Sequence, residues 1–478
     1  MTKSSRAKSI QQISLFVCMA FIFNQLPGMA YAHPNEVVAA PATSSKPKDQ
    51  FAIPDWATPV ASWPTVNKNV TQSIDKILAS PDVKKAMAYL KSDESQTLKQ
   101  AVTLSEIPAP AMTEEVKAKA YLDLMKQAGI ADARIDKEGN VVAVRKGAGV
   151  GPTIVVDAHI DTVFPVGTDI KVKVKDGIYY GPGLTDDTFG LATMLSMARA
   201  LNDAKVQTLG DIVFLASVGE EGLGNLRGVK AYFGENKNID AALMIEAFPP
   251  GVGGIISTAS NRYEVTYTGP GGHSYAAFGQ VPSAIHAMGG AIAKINQIQP
   301  PKFPRTVYNV GIVKGGTSVN TISPDAVMQI DIRSDGAKEL EQITKKVLDI
   351  VNQSVVDENK RWGTDSLKVS IKLIGARAGG NTPADSIVVQ SFLGATRANQ
   401  SKEVMLIGAS TNAGVPISMG IPTIVIPPGG RFTGFHALSE AMDPKDTYKG
   451  AQIALTTILS LVGVKDVSTP LVGKQASK

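Results

Sequence analysis

The chain predicts an α/β protein: a mostly parallel sheet with helices on both faces, interrupted by an inserted ferredoxin-like βαββαβ domain. Three observations carry this. Short apolar, β-branched runs alternate with helix-length segments from about Glu114 onward. At about Ser260 the rhythm changes to strand, helix, two strands, helix, strand, and from Asp385 the first rhythm resumes. At 478 residues and 44% hydrophobic content, the chain is long enough for two or three domain-sized units with large cores.

The first segment stands apart from that fold. Lys3, Arg6 and Lys8 precede an apolar stretch from Ile13 to Phe23, and Ala30-Tyr31-Ala32 forms a small-residue site before His33. Residues 1–32 therefore read as a cleavable secretion signal. The apolar run is too short to span a bilayer, and Gln25 and Pro27 interrupt its continuation, so the expectation is export to a periplasm or beyond the cell, with no membrane anchor. The only cysteine, Cys18, lies inside the signal behind Val17, a poor neighbour for lipid attachment. A mature chain beginning at His33 has no cysteine, which excludes disulfides and thiolate metal sites and leaves His, Asp and Glu to hold any metal. Loss of Lys3, Arg6 and Lys8 lowers the formal charge from +5 to +2. Without a concentrated basic stripe, no nucleic-acid partner is expected.

Residues 33–70, with Pro41-Ala42-Thr43-Ser44-Ser45-Lys46-Pro47, have the composition of a tether, and His33 is expected in solvent. The catalytic part follows in two pieces, 71–258 and 374–470, around an insertion at 259–373. In the first piece, Val116, Ala120, Tyr121, Leu124 and Met125 recur at helical spacing between Glu114 and Gly129. Strands are expected at Asn140 to Val144, Thr153 to Val156, Asp211 to Ala216 and Ala241 to Ile245, with a buried helix from Leu191 to Leu201. The insertion reads as strands at Tyr263 to Tyr267, Tyr308 to Val313, Ala326 to Ile332 and Leu367 to Leu373, with helices from Pro282 to Ile295 and Lys338 to Val355. The last piece gives a helix to Ala398, strand segments around Val404 to Ile407 and Thr423 to Ile426, and a closing helix from Asp446 to Val462.

The chemistry-bearing residues fall at the carboxyl ends of these strands, where open α/β sheets bind ligands. In Asp157-Ala158-His159-Ile160-Asp161, His159 and Asp161 alternate onto one side, so Asp161 can orient a metal-bound His159. Gly181-Pro182-Gly183-Leu184-Thr185-Asp186-Asp187 is a glycine-rich turn with two carboxylates, which alone would read as a helix cap. Gly219-Glu220-Glu221-Gly222 ends a strand in paired acids, a costly neighbourhood unless a cation and a proton share it. Glu246 follows Ala241 to Ile245, and Gly434-Phe435-His436 precedes Glu440. Each is weak alone. Together they give a nitrogen and carboxylate set suited to two zinc ions.

On these motifs the chain resembles the co-catalytic zinc exopeptidases and amidohydrolases that include peptidase T, glutamate carboxypeptidase, aminoacylase and succinyl-diaminopimelate desuccinylase. The likeness covers the chain after about Thr97. It implies His159 on one metal, Asp186 bridging both, Glu221 and Glu246 completing the two sites, His436 on the second metal, and Asp161 as orienting residue. Glu220 matches the general base, and amide hydrolysis is the implied reaction. The cofactors implied are two Zn2+, with Co2+ or Mn2+ suited to the same donors. In the insertion, Gly271-Gly272-His273-Ser274 is similar to a lid motif whose histidine supports the oxyanion, in dimeric members across the subunit boundary. Asn320 and Arg333 are similar to lid residues that contact substrate, although for Arg333 a structural ion pair is an equal reading; His286 reads as structural. Such lids commonly make homodimers.

Two departures are visible. Thr188 stands where the family often has a lysine, two residues after the bridging aspartate, and Asn412 stands where an aspartate is common. Both are expected near the substrate cleft, with consequences for specificity. Asp161-Thr162-Val163-Phe164-Pro165 leans toward the peptidase T-like branch, an aminopeptidase on short peptides. A carboxypeptidase or N-acyl-amino-acid amidohydrolase on the same metal centre is the alternative, with an acylated amino acid as substrate. A non-catalytic peptide-binding protein would predict loss of Glu220 or a ligand, and all are present.

Overall fold

The central strands are apolar on both sides, and this decides the architecture. Along Thr153–His159, Ile154, Val156 and Ala158 enter one buried cluster while Val155 enters another. Asp211–Ser217 repeats the pattern, with Ile212, Phe214 and Ala216 on one side and Val213 and Leu215 on the other. A strand of period two that is apolar on both faces must be covered on both, so the sheet sits between two helical layers. Each buried Ile, Leu, Val or Phe contributes roughly 1.5–3 kcal/mol to holding those layers.

The computed structural model describes residues 50, 51, 59, 65–149, 151–399 and 405–474. The expected signal with Cys18, His33, most of the tether and Val404 lie outside the described residues. From Gln50 onward the chain forms one unit. Its main sheet runs in the order Arg134–Ile135, Val141–Arg145, Asp211–Ser217, Thr153–His159, Ala241–Ile245, Thr423–Ile426, Val252–Ser257, Gly380–Asn381, and Met405–Ala409 pairs with Val252–Ser257. The middle is parallel: Thr153–His159 lies between Asp211–Ser217 and Ala241–Ile245, and Thr423–Ile426 continues beside the latter. Antiparallel pairs occur toward both edges.

One helical layer holds Phe189–Asp203, Ile387–Ala398 and Tyr448–Val462, and the other holds Arg227–Glu235 and Gly414–Ser418. Three helices, Lys68–Ala79, Pro81–Ser92 and Glu94–Ser105, pack onto the first layer through thin stripes such as Val70, Ile74 and Ile77. The first of them begins at Lys68, capped by Asn67, so the end of the expected 33–70 tether is already helical.

The inserted sheet comprises Ala259–Thr268, Thr306–Gly315, Asp325–Ser334 and Lys368–Arg377, all antiparallel, in the order second, third, first, fourth. Helices Ala284–Ile295 and Ala337–Trp362 bury Ala284, Ala287, Ala291, Leu340, Val347 and Val351 on one of its faces. This is the ferredoxin-like order expected from the βαββαβ pattern.

The helix Glu115–Gln127 corrects the expected inner face. Val116 is 68% exposed, and the buried stripe is Lys117, Ala118, Tyr121 and Met125. A lysine holds a core position where the apolar pattern pointed to its neighbour.

Candidate metal centre

Three strand ends, one helical turn and one loop build the site. His159 is the last residue of Thr153–His159; Glu220 and Glu221 follow Asp211–Ser217; Glu246 follows Ala241–Ile245. Because these three strands are adjacent and parallel, their carboxyl ends open at one edge. Asp186 comes from the widened helical turn Leu184–Thr188, whose Asp186–Asp187 peptide is cis, and His436 from the loop after Arg431–Thr433. His436 has φ +62°, a left-handed conformation that a non-glycine residue adopts at a cost and that recurs at functional sites.

Asp186 is the geometric centre of this set. Its Oδ1 lies 3.0 Å from His159 Nε2 and its Oδ2 lies 3.2 Å from His436 Nε2. One carboxylate thus presents an oxygen to each histidine, the disposition needed to bridge two cations. Glu221 Oε1 lies 2.9 Å from the same His436 nitrogen, so Asp186, Glu221 and His436 form one cluster of donors within 4.8 Å. His159, Asp187 and Glu246 form a second, and His159, Glu220 and Glu221 a third. The donor chemistry, imidazole and carboxylate without sulfur, fits zinc, cobalt or manganese.

The protonation pattern fits cation sites. His159 Nδ1 donates to the Asp161 carbonyl at 2.9 Å, which leaves Nε2 for a metal. Burial opposes charge on His159, but hydrogen bonds to Asp161 and Asp186 raise its pKa well above 6.5. Hydrogen bonds to Asp186 and Glu221 raise His436 to about 10. Burial opposes ionisation of Asp186, yet the two histidines hold its pKa well below the usual carboxylate range. Protons on both histidines stand in for the positive charge that the acids require.

Asp161 does more than orient the histidine. Its carboxylate accepts from the Glu220 N–H at 2.9 Å and the Glu221 N–H at 2.8 Å, and its nearer oxygen is 3.5 Å from His159 Nδ1. The orienting acceptor is therefore mainly its backbone carbonyl, and the side chain fixes the Glu220–Glu221 turn. Glu220 is 5% exposed. Burial pushes its carboxyl up to about 8, against the pull of Arg377, whose Nη1 donates to Glu220 Oε1 at 2.9 Å and whose Nη2 donates to the Glu220 carbonyl. A carboxyl titrating near neutral pH is matched to moving a proton.

A cleft of about 290 Å³ opens on this cluster, lined among others by Asp186, Glu220, Glu221, Glu246 and His436 from the catalytic part and by Arg262 and Arg333 from the insertion. Asp331 takes the Nε–H of Arg262 at 3.1 Å and of Arg333 at 2.6 Å, fixing both guanidinium planes. Arg333 thus makes the structural ion pair and also lines the cleft. His273 and Asn320 are not among the cleft-lining residues. They sit together on an exposed ribbon in which Gly272–His273 pairs with Thr321–Ile322 and Ser274 N–H donates to the Asn320 carbonyl at 2.9 Å. His286 is exposed on the first turn of Ala284–Ile295, not packed in the core.

The two departures also fall elsewhere than expected. Thr188 and Asn412 are buried, at 0% and 2% exposure, and support the site from behind. Arg377 and Lys117 are absent from the sequence reading, and Asp187 entered it only as the second carboxylate of the glycine-rich turn. Asp187 is buried, its Oδ2 accepting from His159 N–H at 3.1 Å while Oδ1 has no partner. Arg377 lies 157 residues beyond Glu220, and only the chain's return from the insertion brings them together.

The chain is similar in sequence and fold to known proteins. Succinyl-diaminopimelate desuccinylase from Corynebacterium glutamicum is 23% identical over 253 residues, 52% of this chain and 68% of that protein. The fold is that of a tripeptidase from Staphylococcus aureus, with a TM-score of 0.64 at 21% identity over 76% of this chain and 97% of the other. A dinuclear metal-binding peptidase from Bacillus subtilis gives 0.59 at 15% identity, over 78% and 99%. Residues 155–460 match the model of peptidase family M20/M25/M40. The chain belongs to that family of metal-dependent peptidases and amidohydrolases.

Proposed function

We propose that the protein is an exported di-zinc exopeptidase that hydrolyses short peptides, with Glu220 as general base. The observation that carries this is the Asp186 carboxylate set between His159 and His436, with Glu220 beside them. His159, Asp186 and Glu246 would hold one cation, and Asp186, Glu221 and His436 the other. When bound, such a pair lowers the pKa of water and polarises the scissile carbonyl. Glu220 takes the proton from the attacking water and delivers it to the leaving amine, while Asp161 keeps the Glu220 and Glu221 backbone in register and Arg377 holds the Glu220 side chain.

A cleft of about 290 Å³ is at the small end of ligand pockets, which supports short substrates. The likeness to a tripeptidase supports the aminopeptidase reading. Arg262, Arg333 and Arg377 in the cleft lining favour a second reading, a carboxypeptidase or N-acyl-amino-acid amidohydrolase, because guanidinium forks suit a substrate carboxylate. A panel of di- and tripeptides, amino-blocked peptides, carboxyl-blocked peptides and N-acyl amino acids separates them. Turnover that needs a free amino group establishes the first; turnover of amino-blocked substrates with a free carboxylate establishes the second.

Export rests on the signal over 1–32, and amino-terminal sequencing of the protein recovered outside the cytoplasm is expected to begin at His33. A homodimer through the insertion would give His273 and Asn320 a partner's cleft to serve; Tyr275 and Val319 stand exposed on the same ribbon region. Light scattering of the purified chain is expected to give the dimer mass.

A further inference from the structure

We propose that Lys117 is a positioning residue of the metal centre: its buried ammonium holds the Gly183–Thr188 turn so that Asp186 faces both histidines. This rests on the assignment of Asp186 as the bridging ligand. No other lysine among the described residues is buried, and Lys117 has no exposed surface at all. Its helix, Glu115–Gln127, is fixed against the next one by Tyr121, whose hydroxyl donates to the Leu191 carbonyl at 3.2 Å. One turn before Tyr121, the same stripe delivers Lys117 Nζ to 2.7 Å from Thr188 Oγ1.

The hydrogen bonds have one consistent direction. Thr188 Oγ1 lies 2.5 Å from the Gly183 carbonyl, which can only accept, so the hydroxyl proton goes there and its lone pair receives the ammonium. The chain Lys117 to Thr188 to Gly183 closes the two ends of the turn on each other. From the other side, Glu440 accepts from Gly183 N–H at 2.9 Å, Thr185 N–H at 2.7 Å, Thr185 Oγ1 at 2.6 Å and Asp186 N–H at 3.3 Å. A buried lysine and a buried glutamate thus grip opposite sides of one six-residue turn, and Asp186 is the residue it displays. Burial lowers the Lys117 pKa to about 8, and the carboxylates of Asp161, Asp187, Glu440 and Asp186 oppose that shift.

Thr188 is where the resemblance places a lysine, so an ammonium at this spot comes here from a helix 71 residues upstream. That makes a swap possible. The full chain, stripped of metal, is titrated with zinc against a chromophoric chelator as wild type, Lys117→Met, Thr188→Val, and the double variant Lys117→Met with Thr188→Lys; circular dichroism and melting curves accompany each. The wild type is expected to take two zinc ions. Lys117→Met is expected to lose at least ten-fold in affinity for one of them, Thr188→Val to lose in the same direction, and the double variant to recover. Unchanged or tighter zinc binding by folded Lys117→Met overturns the proposal. If Lys117→Met does not fold, wild-type zinc affinity in folded Thr188→Val overturns it equally. A wild type that binds fewer than two zinc ions would instead contradict the metal assignment itself.

Discussion

Asn412 does its work underneath the metal centre, where its carboxamide donates to Asp157 Oδ2 at 2.8 Å and to Ser217 Oγ at 2.9 Å. Asp157 is fully buried, and burial raises it to about 6 against the hydrogen bonds of Ser217 and Asn412. Asn412→Asp would replace a donor with a second acceptor and leave Asp157 facing a like charge. It is expected to destabilise the fold by about 1–3 kcal/mol, measured by denaturant unfolding, and the exchanged pair Asp157→Asn with Asn412→Asp is expected to recover most of the loss. At this scale the sequence was readable only in part. His159, Glu220, Glu221 and Glu246 follow apolar runs, so strand ends announce them. Arg377 and Lys117 have no such mark: Arg377 ends the strand Lys368–Arg377 among small residues, Gly375-Ala376-Arg377-Ala378-Gly379-Gly380, and Lys117 looks like any lysine on a helix that also carries Lys119 and Lys126. Their roles depend on tertiary approach across 157 and 71 residues.

The element most exposed to perturbation is the joint between the turn Leu184–Thr188 and the helix Phe189–Asp203. A Cβ on Gly190 would lie 2.2 Å from Asp187 Oδ1 and 2.7 Å from its Cγ, and Asp187 is itself tied to the His159 backbone. Gly190→Ala is therefore expected to cost about 1–3 kcal/mol as overpacking and to weaken zinc binding, because the strain is relieved by moving the turn that displays Asp186. Melting temperature and chelator competition measure the two effects. Element types were legible where period and length agreed: Ala241–Ile245 and Thr423–Ile426 have the predicted bounds. The amino-terminal helices were not, because stripes of one apolar residue per turn in polar segments give a weak periodic signal. In Glu115–Gln127 the apolar pattern chose Val116, and burial of Lys117 beside the acids overrode it.

Across the whole molecule, the acids converging on one sheet edge set how stability depends on pH. Without metal, Asp157, Glu440, Glu220 and His436 titrate at about 6, 7, 8 and 10, each above its ordinary value of 3.8, 4.5, 4.5 and 6.5. A raised pKa gives stability that is complete below the ordinary value and lost as pH climbs through the folded one. The metal-free protein is thus expected to lose stability from about pH 4 upward, most of it by pH 8 to 10. Asp186, held low, acts oppositely but only below pH 3.8, and Lys117, lowered from 10.5 to about 8 by burial, offsets part of the loss above pH 8. Metal binds the deprotonated forms, so the rise in melting temperature on adding zinc is expected to be larger at pH 8 than at pH 5.5; equal rises would contradict this coupling. On the proposed function, two bound cations and Glu220 together cleave amides. The most direct measurement is tripeptide hydrolysis by the metal-stripped protein as zinc is added back, in wild type and Glu220→Gln, with bound zinc counted in both. Activity is expected to saturate at two zinc ions per chain in the wild type, and Glu220→Gln to bind the same two zinc ions with turnover reduced by about 10²–10⁴-fold. Full turnover in Glu220→Gln, or activity in the protein without metal, would contradict the proposed function.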